Sequence, residues 1–279
     1  MNPVNKTKVS IIIVTWNTAE ITKKCVETIN KYIPGQEIII VDNGSTDNTI
    51  TEIENLRHSL KIENCKLKII PNGANLGFAK ANNIGFKKAT NECIVFMNSD
   101  IELIDNSLLK MIDYFKNNPN LGIIGPKFLN PDMTPQASVF PPQTPLNAFK
   151  EFWLNKSEAY SKYIPKGETP TKVSYISGGF IVVKKDFFKK IGQWNEKYFF
   201  YFEDMDLCRQ VHRFKKDILF YPKCQVIHRH GASGKNLAPA KDQWRRLIPS
   251  SIKFHGHFIH YFINFIIWSG QKWQKLFHK

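Results

Sequence analysis

A chain of 279 residues, 42% hydrophobic and 23% charged, carries enough apolar material for a large core, which excludes a mainly disordered protein. Its net charge of +15 is unevenly placed: residues 1–208 carry 25 Lys/Arg against 22 Asp/Glu, and residues 209–279 carry 14 Lys/Arg against Asp217 and Asp242 alone. Cys25, Cys65, Cys93, Cys208 and Cys224 show no C-x-x-C spacing, which excludes a disulfide framework or cysteine-zinc site and points to a reducing compartment.

The polar N-terminus leads into Val9–Val14, an apolar run too short for a secretory signal and suited to a first buried strand. Helical spacing follows over Ala19–Tyr32, at Ile21, Cys25, Ile29 and Tyr32. Glu37–Val41 reads as a strand, and Thr46 or Asp47 as the cap of a helix reaching about His58. Leu67–Ile70 is a strand, Ala79–Ala89 a helix, Cys93–Met97 a strand and Leu103–Asn117 a helix. Strands alternating with helices of this length predict an α/β protein with a mostly parallel central sheet flanked by helices, Rossmann-like in its connections. Residues 130–172 hold seven prolines and read as irregular, with one helix near Leu146–Tyr160. Phe180–Val183 is then a strand, Asp186–Ile191 a short helix, Phe202–Phe214 a helix led by acids, and Val226-Ile227 a short strand. From Trp244 apolar residues recur with a 3.6-residue period. The expected division is a catalytic domain over 1–235 and a basic, aromatic, amphipathic helical tail over 236–279. The tail suits an anionic membrane interface, or packing on the body or on a twin subunit, better than a membrane-spanning helix, because His255, His257, His260, Asn264 and two glycines interrupt it. No nucleic-acid recognition motif accompanies the basic charge.

Four places carry candidate chemistry. Asp42 ends a strand and precedes Asn43-Gly44-Ser45-Thr46-Asp47, so its carboxylate can accept the imide N–H of a pyrimidine base or, more plainly, cap a turn. Asn98-Ser99-Asp100 follows a buried strand. If the segment stays extended, Asn98 and Asp100 face one hard cation. Glu203, Asp204 and Asp206 follow six aromatic residues within 194–202, which raises carboxyl proton affinity as a general base requires; the helix dipole is the plain alternative. His228 and His230 alternate near a strand, and one of them can join Asp100 on a metal.

In order, Val9–Asn17, Val41–Ser45, Asn75-Leu76-Gly77, Asn98-Ser99-Asp100, Ser177-Gly178-Gly179, Phe202–Leu207 and His228 resemble the family 2 glycosyltransferases, and within them the rhamnosyltransferase-type branch. The resemblance covers about residues 8–232. It implies the glycosyltransferase A-type fold and inverting, divalent-cation-dependent (Mg2+ or Mn2+) transfer from a nucleotide-diphosphate sugar, dTDP-rhamnose or a UDP-sugar. The acceptor would be a glycan or lipid-linked glycan in cell-surface polysaccharide synthesis. Thr15, Trp16, Asn17, Asp42, Asn75, Gly77, Asn83, Asn98 and Ser99 would lie on the donor side. Gly178, Gly179 and Glu203 would lie on the acceptor side, Asp100 and His228 on the metal, and Asp204 would be the catalytic base. Asn98 departs from the family's D-x-D motif by replacing its first acid. The implied location is cytoplasmic, peripheral on the inner face of the plasma membrane. Two alternatives stand beside this: a catalytically lapsed nucleotide-sugar-binding membrane module, and a sugar-phosphate nucleotidyltransferase. The latter is disfavoured because Thr15-Trp16-Asn17-Thr18 replaces its Gly-rich basic loop.

Overall fold

Ile11, Ile12 and Ile13 are all fully buried because their strand runs through the middle of a sheet covered on both faces. A computed structural model describes residues 7–60, 66–229 and 243–277. Its N-terminal half alternates as expected: β1 (Ser10–Thr15), α1 (Ala19–Tyr32), β2 (Glu37–Asp42), α2 (Thr49–Ser59), β3 (Lys66–Pro71), α3 (Phe78–Lys88) and β4 (Cys93–Asn98). There follow β5 (Ile101–Leu103), α4 (Ser107–Lys116), β6 (Leu121–Leu129), β7 (Pro135–Gln136), β8 (Val139–Phe140) and α5 (Pro145–Phe152). The remainder is β9 (Thr171–Lys172), β10 (Tyr175–Ile176), β11 (Phe180–Lys184), α6 (Lys185–Lys190), α7 (Glu203–Arg213), β12 (Asp217–His228), α8 (Gln243–His255) and α9 (His257–Phe277).

The sheet runs β3-β2-β1-β4-β11-β6-β12-β5, with β7 beside β6 and β9 beside β12. The first four strands are mutually parallel; β11 is antiparallel to both β4 and β6, and β12 is parallel to β6. The pleat divides the core: Ile11 and Ile13 pack with α1, α2 and α4, whereas Ile12 packs with α3, α6 and α7.

Three departures from the sequence reading have local causes. The helix expected from Leu103 begins at Ser107, because residues 101–103 pair with β12 and Asp105 Oδ1 accepts from Ser107 N at 2.8 Å. β6 is a central strand although it contains two glycines and Pro126. Its proline lies opposite Tyr221, where β12 bulges and the register jumps to Gln225↔Lys127. The periodic C-terminal run is two helices, α8 and α9, separated by Gly256 at φ +83°. The boundary drawn after residue 235, and the candidate His230, lie outside the described residues.

Gly85 weighs helix propensity against packing. Alanine would normally stabilise a helix interior by about 1 kcal/mol. Here a Cβ would stand 2.6 Å from Ile12 Cγ2 and 3.0 Å from Val41 Cγ2, both on fully buried strand residues. Overpacking of that kind costs about 1–3 kcal/mol, so packing wins. Gly85→Ala is expected to lower stability in urea unfolding; a more stable variant would contradict the packing described.

Candidate active site

The carboxy end of β1 is tied to that of β2 by side chains rather than by a glycine-rich loop. Asn17, at φ +52°, accepts from Thr46 N at 2.7 Å through Oδ1, while its own N–H donates to Ser45 Oγ at 2.9 Å. Asp42 is buried and accepts from Ser45 N at 3.1 Å and Gly44 N at 3.3 Å. Trp16 lies half-buried beside this turn. Thr15, expected on the donor side, turns its hydroxyl into the fold, 2.9 Å from Thr18 Oγ1 and 2.7 Å from Thr22 Oγ1.

Three more donor-side candidates also make contacts within the fold. Asn75 Oδ1 accepts from Gly77 N (3.0 Å) and Asn43 Nδ2 (2.9 Å), which shapes the turn into α3. Gly77 packs so closely that a Cβ would lie 2.6 Å from the Phe199 carbonyl oxygen. Asn83 spends its amide on the 194–196 loop, donating to Trp194 O (2.8 Å) and Glu196 Oε1 (2.9 Å) and accepting from Trp194 N (3.2 Å). The unforeseen hub is Asn43, buried, which also accepts from Leu76 N at 3.0 Å and Asn72 Nδ2 at 3.1 Å.

The alternation argument for Asn98 and Asp100 fails for a simple reason: β4 ends at Asn98, and Ser99-Asp100 is a turn. Ser99 Oγ stands 3.5 Å from Thr18 Oγ1. Asp100 is brought to His228 instead, because β5 pairs with β12 in the register Ile101↔His228 and Arg229 N donates to Asp100 O at 3.0 Å. Asp100 Oδ1 lies 3.4 Å from His228 Nε2 and is buried with no hydrogen-bond partner among the described residues.

Gln136, which sequence reasoning missed, sets the imidazole. Its Nε2 donates to His228 O at 3.1 Å and Asn130 Oδ1 at 2.7 Å, so Oε1 faces the ring and accepts from Nδ1 at 2.5 Å. Nδ1 therefore carries a proton, and Nε2 is the ring nitrogen turned towards Asp100. A buried, hydrogen-bond-poor carboxylate oxygen beside an imidazole nitrogen is a pair that a divalent cation could bridge. Among the described residues no group of three or more His, Cys, Asp and Glu assembles, so such an ion would need ligands from a bound diphosphate or water. A residue 92 positions away in sequence leaves no local signal.

The acids of α7 separate by role. Asp206 is structural: it pairs with Arg209 and accepts from Asn195 Nδ2 at 3.2 Å. Asp204 Oδ2 accepts from Gly178 N at 3.1 Å and Oδ1 from Met205 N at 2.8 Å. A Cβ on Gly178 would lie 3.0 Å from Asp204 Cβ, so the close approach requires glycine. Burial raises the Asp204 pKa, opposed by the Gly178 N–H and the Lys162 ammonium. Burial, then the Asp204 charge, pushes Glu203 well above the ordinary carboxylate range, and its Oε2 has no hydrogen-bond partner among the described residues. Tyr201 and Phe202, at φ +70° and +66°, deliver the chain into α7. Consecutive left-handed aromatic residues cost about 1–3 kcal/mol each. The segment is held by Phe202 against Phe254 (5.4 Å) and by Ser250 Oγ donating to Phe200 O (2.9 Å), both from α8.

Both halves meet at one sheet edge. Gly179 O accepts from Asn98 N at 2.9 Å, one residue from the Gly178 N–H that holds Asp204.

Residues 10–192 match the family described as Glycosyl transferase family 2. The chain is 25% identical over 230 residues to an N-acetylglucosaminyl-diphospho-decaprenol L-rhamnosyltransferase of Mycobacterium tuberculosis, covering 73% of this chain and 69% of the relative. It shares its fold with the mannosyltransferase PcManGT of Pyrobaculum calidifontis, solved with GDP-Man and Mn2+, at TM-score 0.60 and 16% identity over 91% of this chain and 64% of that one. It likewise resembles S. aureus TarS 1-349 in complex with UDP-GlcNAc, at TM-score 0.56 and 17% identity over 97% and 73% of the two chains.

The raised carboxyls give a signed pH dependence. Glu203 and Asp204 bind protons more tightly in the folded protein than in the unfolded chain, so stability falls as pH climbs from the ordinary carboxylate range through the raised values. Glu203→Gln removes one contribution. Its urea midpoint is expected to exceed that of the wild type at about pH 8 and to match it near about pH 4, where ordinary carboxyls protonate. An identical offset at both pH values would contradict the assignment.

Proposed function

The chain belongs to glycosyl transferase family 2, and we propose that it moves a sugar, with inversion, from a nucleotide-diphosphate sugar to a hydroxyl of a glycan or lipid-linked glycan acceptor. The observation that carries this reading is Asp204 fixed by Gly178 N–H, beside the strand end at Asn98 from which the turn to Asp100 departs. Trp16 and Asp42 hold the donor base, the Asp42 carboxylate accepting an imide N–H. Asn98 and Ser99 line the donor side next to them, and Gly178, Gly179 and Glu203 the acceptor side.

A divalent ion, Mg2+ or Mn2+, held by Asp100 and His228 would stabilise the charge that develops on the leaving diphosphate. Asp204 takes the proton of the acceptor hydroxyl. The acceptor oxygen then bonds to the anomeric carbon as the bond to the β-phosphate oxygen breaks, its electron pair leaving with the nucleoside diphosphate. One base suffices for this single displacement. The raised proton affinity of Asp204 suits the task. Burial also raises the proton affinity of Glu203, the neighbour of that base.

The family match and the rhamnosyltransferase relative favour a dTDP-rhamnose or UDP-sugar donor, a lipid-linked acceptor and a role in cell-surface polysaccharide synthesis. The basic C-terminal segment supports a peripheral place on the inner face of the plasma membrane. Among the described residues no helix is long and apolar enough to cross a membrane.

Asp204→Asn is expected to lower turnover by about 10²–10⁴-fold, the usual contribution of a general base. Nucleoside diphosphate affinity by calorimetry should stay unchanged. Near wild-type transfer by that variant would remove Asp204 as the base.

A further inference from the structure

We propose that α5 and α9, which are far apart in sequence, form one composite face that docks on an anionic lipid bilayer; this deepens the peripheral-membrane part of the proposed function and rests on it.

α9 has two unlike sides. Ile263 and Ile266 are buried with Ala148 of α5, whereas Phe258, Tyr261, Phe262, Phe265 and Trp268 repeat at helical spacing on the other side and are exposed, Phe258 by 78% and Trp268 by 59%. α5 adds Leu146 and Phe149, and an apolar groove of about 360 Å³ separates the two helices. The pairing is specific. Trp153 Nε1 donates to Ile266 O at 3.3 Å and Gln274 Nε2 to Phe152 O at 2.9 Å, while Gly270 lies against the Phe152 carbonyl. Exposed rings on a helix so anchored are a fixed surface.

The occupant follows from composition and charge. Phe, Tyr and Trp are the side chains that settle at a membrane–water boundary. Residues 243–277 contain five Lys/Arg and no Asp or Glu. Anionic head groups complement that charge. A second copy complements it less well: isologous pairing through α8 and α9 would bring together two segments that each hold five Lys/Arg and no Asp or Glu. Through α8, which clamps the strained segment before Asp204, the face is held at a fixed orientation to the base.

Flotation of the full chain with phosphatidylglycerol vesicles and with phosphatidylcholine vesicles tests this. The wild type is expected to float with the former and remain below with the latter. Leu146→Glu/Phe149→Glu on α5 and Phe265→Glu/Trp268→Glu on α9 should each lower the floated fraction at least tenfold while nucleotide-sugar hydrolysis is unchanged. Tryptophan quenching by brominated lipids in the wild type provides the same readout without a variant. An α5 variant that floats like the wild type overturns the composite face, as does a wild type that neither floats nor is quenched. Light scattering that finds a wild-type dimer dissociated by these substitutions would assign the face to a second copy instead. Loss of donor hydrolysis in a chain that still floats would sink the transferase reading and leave the docking face standing.

Discussion

The antiparallel meeting of β4 and β11 is the constraint on which the site depends. In an all-parallel sheet the carboxy edge of β4 would be flanked by other carboxy edges. Because β11 runs the opposite way, its first residues arrive beside the last residues of β4, in the register Phe180↔Met97. The Gly178-Gly179 turn is thereby placed where one glycine carbonyl receives Asn98 N–H and the neighbouring glycine N–H holds Asp204. The proposed cation-side and acceptor-side groups come from segments about 100 residues apart in the chain, yet two consecutive glycines join them.

Around that junction the protein carries costs that a purely structural domain would avoid. Glu203 is buried with an oxygen that has no hydrogen-bond partner among the described residues, Asp100 likewise, and two aromatic residues occupy left-handed backbone. Each cost lies beside a proposed reacting group, and each has a named support. Gln136 aligns His228, Gly178 admits the Asp204 side chain, and α8 braces the 200–202 segment. α8 and α9 therefore have two attachments to the body, one at the base and one at α5.

Much of this was legible in the residues and some was not. β1 to β4 and their helices could be read because continuous Ile/Val runs alternate with 3.6-residue periodicity, and both follow from local burial. β6 was hidden by Gly122, Gly125 and Pro126. The glycines are there because Val211 and Ile176 approach too closely for a Cβ, and the proline is tolerated by a bulge on β12. Both causes are tertiary. The same distinction runs through the site. The candidates Asp42, Asp100, Asp204 and His228 lie at or beside element ends, where position and chemistry single them out. For Asn75 and Asn83 the sequence leaves two roles open, because an amide that holds a turn and an amide that holds a nucleotide are the same residue type; the structure adds their partners within the fold. Gln136 and Asn43 act through long-range hydrogen bonds that no spacing encodes.

Anomalous scattering from crystals grown with Mn2+ and a nucleoside diphosphate tests the central claim most directly. The account predicts a manganese peak bonded to Asp100 and His228 Nε2, bridged to the diphosphate, with the Asp204 carboxylate facing the same space across the Gly178-Gly179 turn. Manganese bound away from both side chains, or a diphosphate whose open end points away from Asp204, would contradict it.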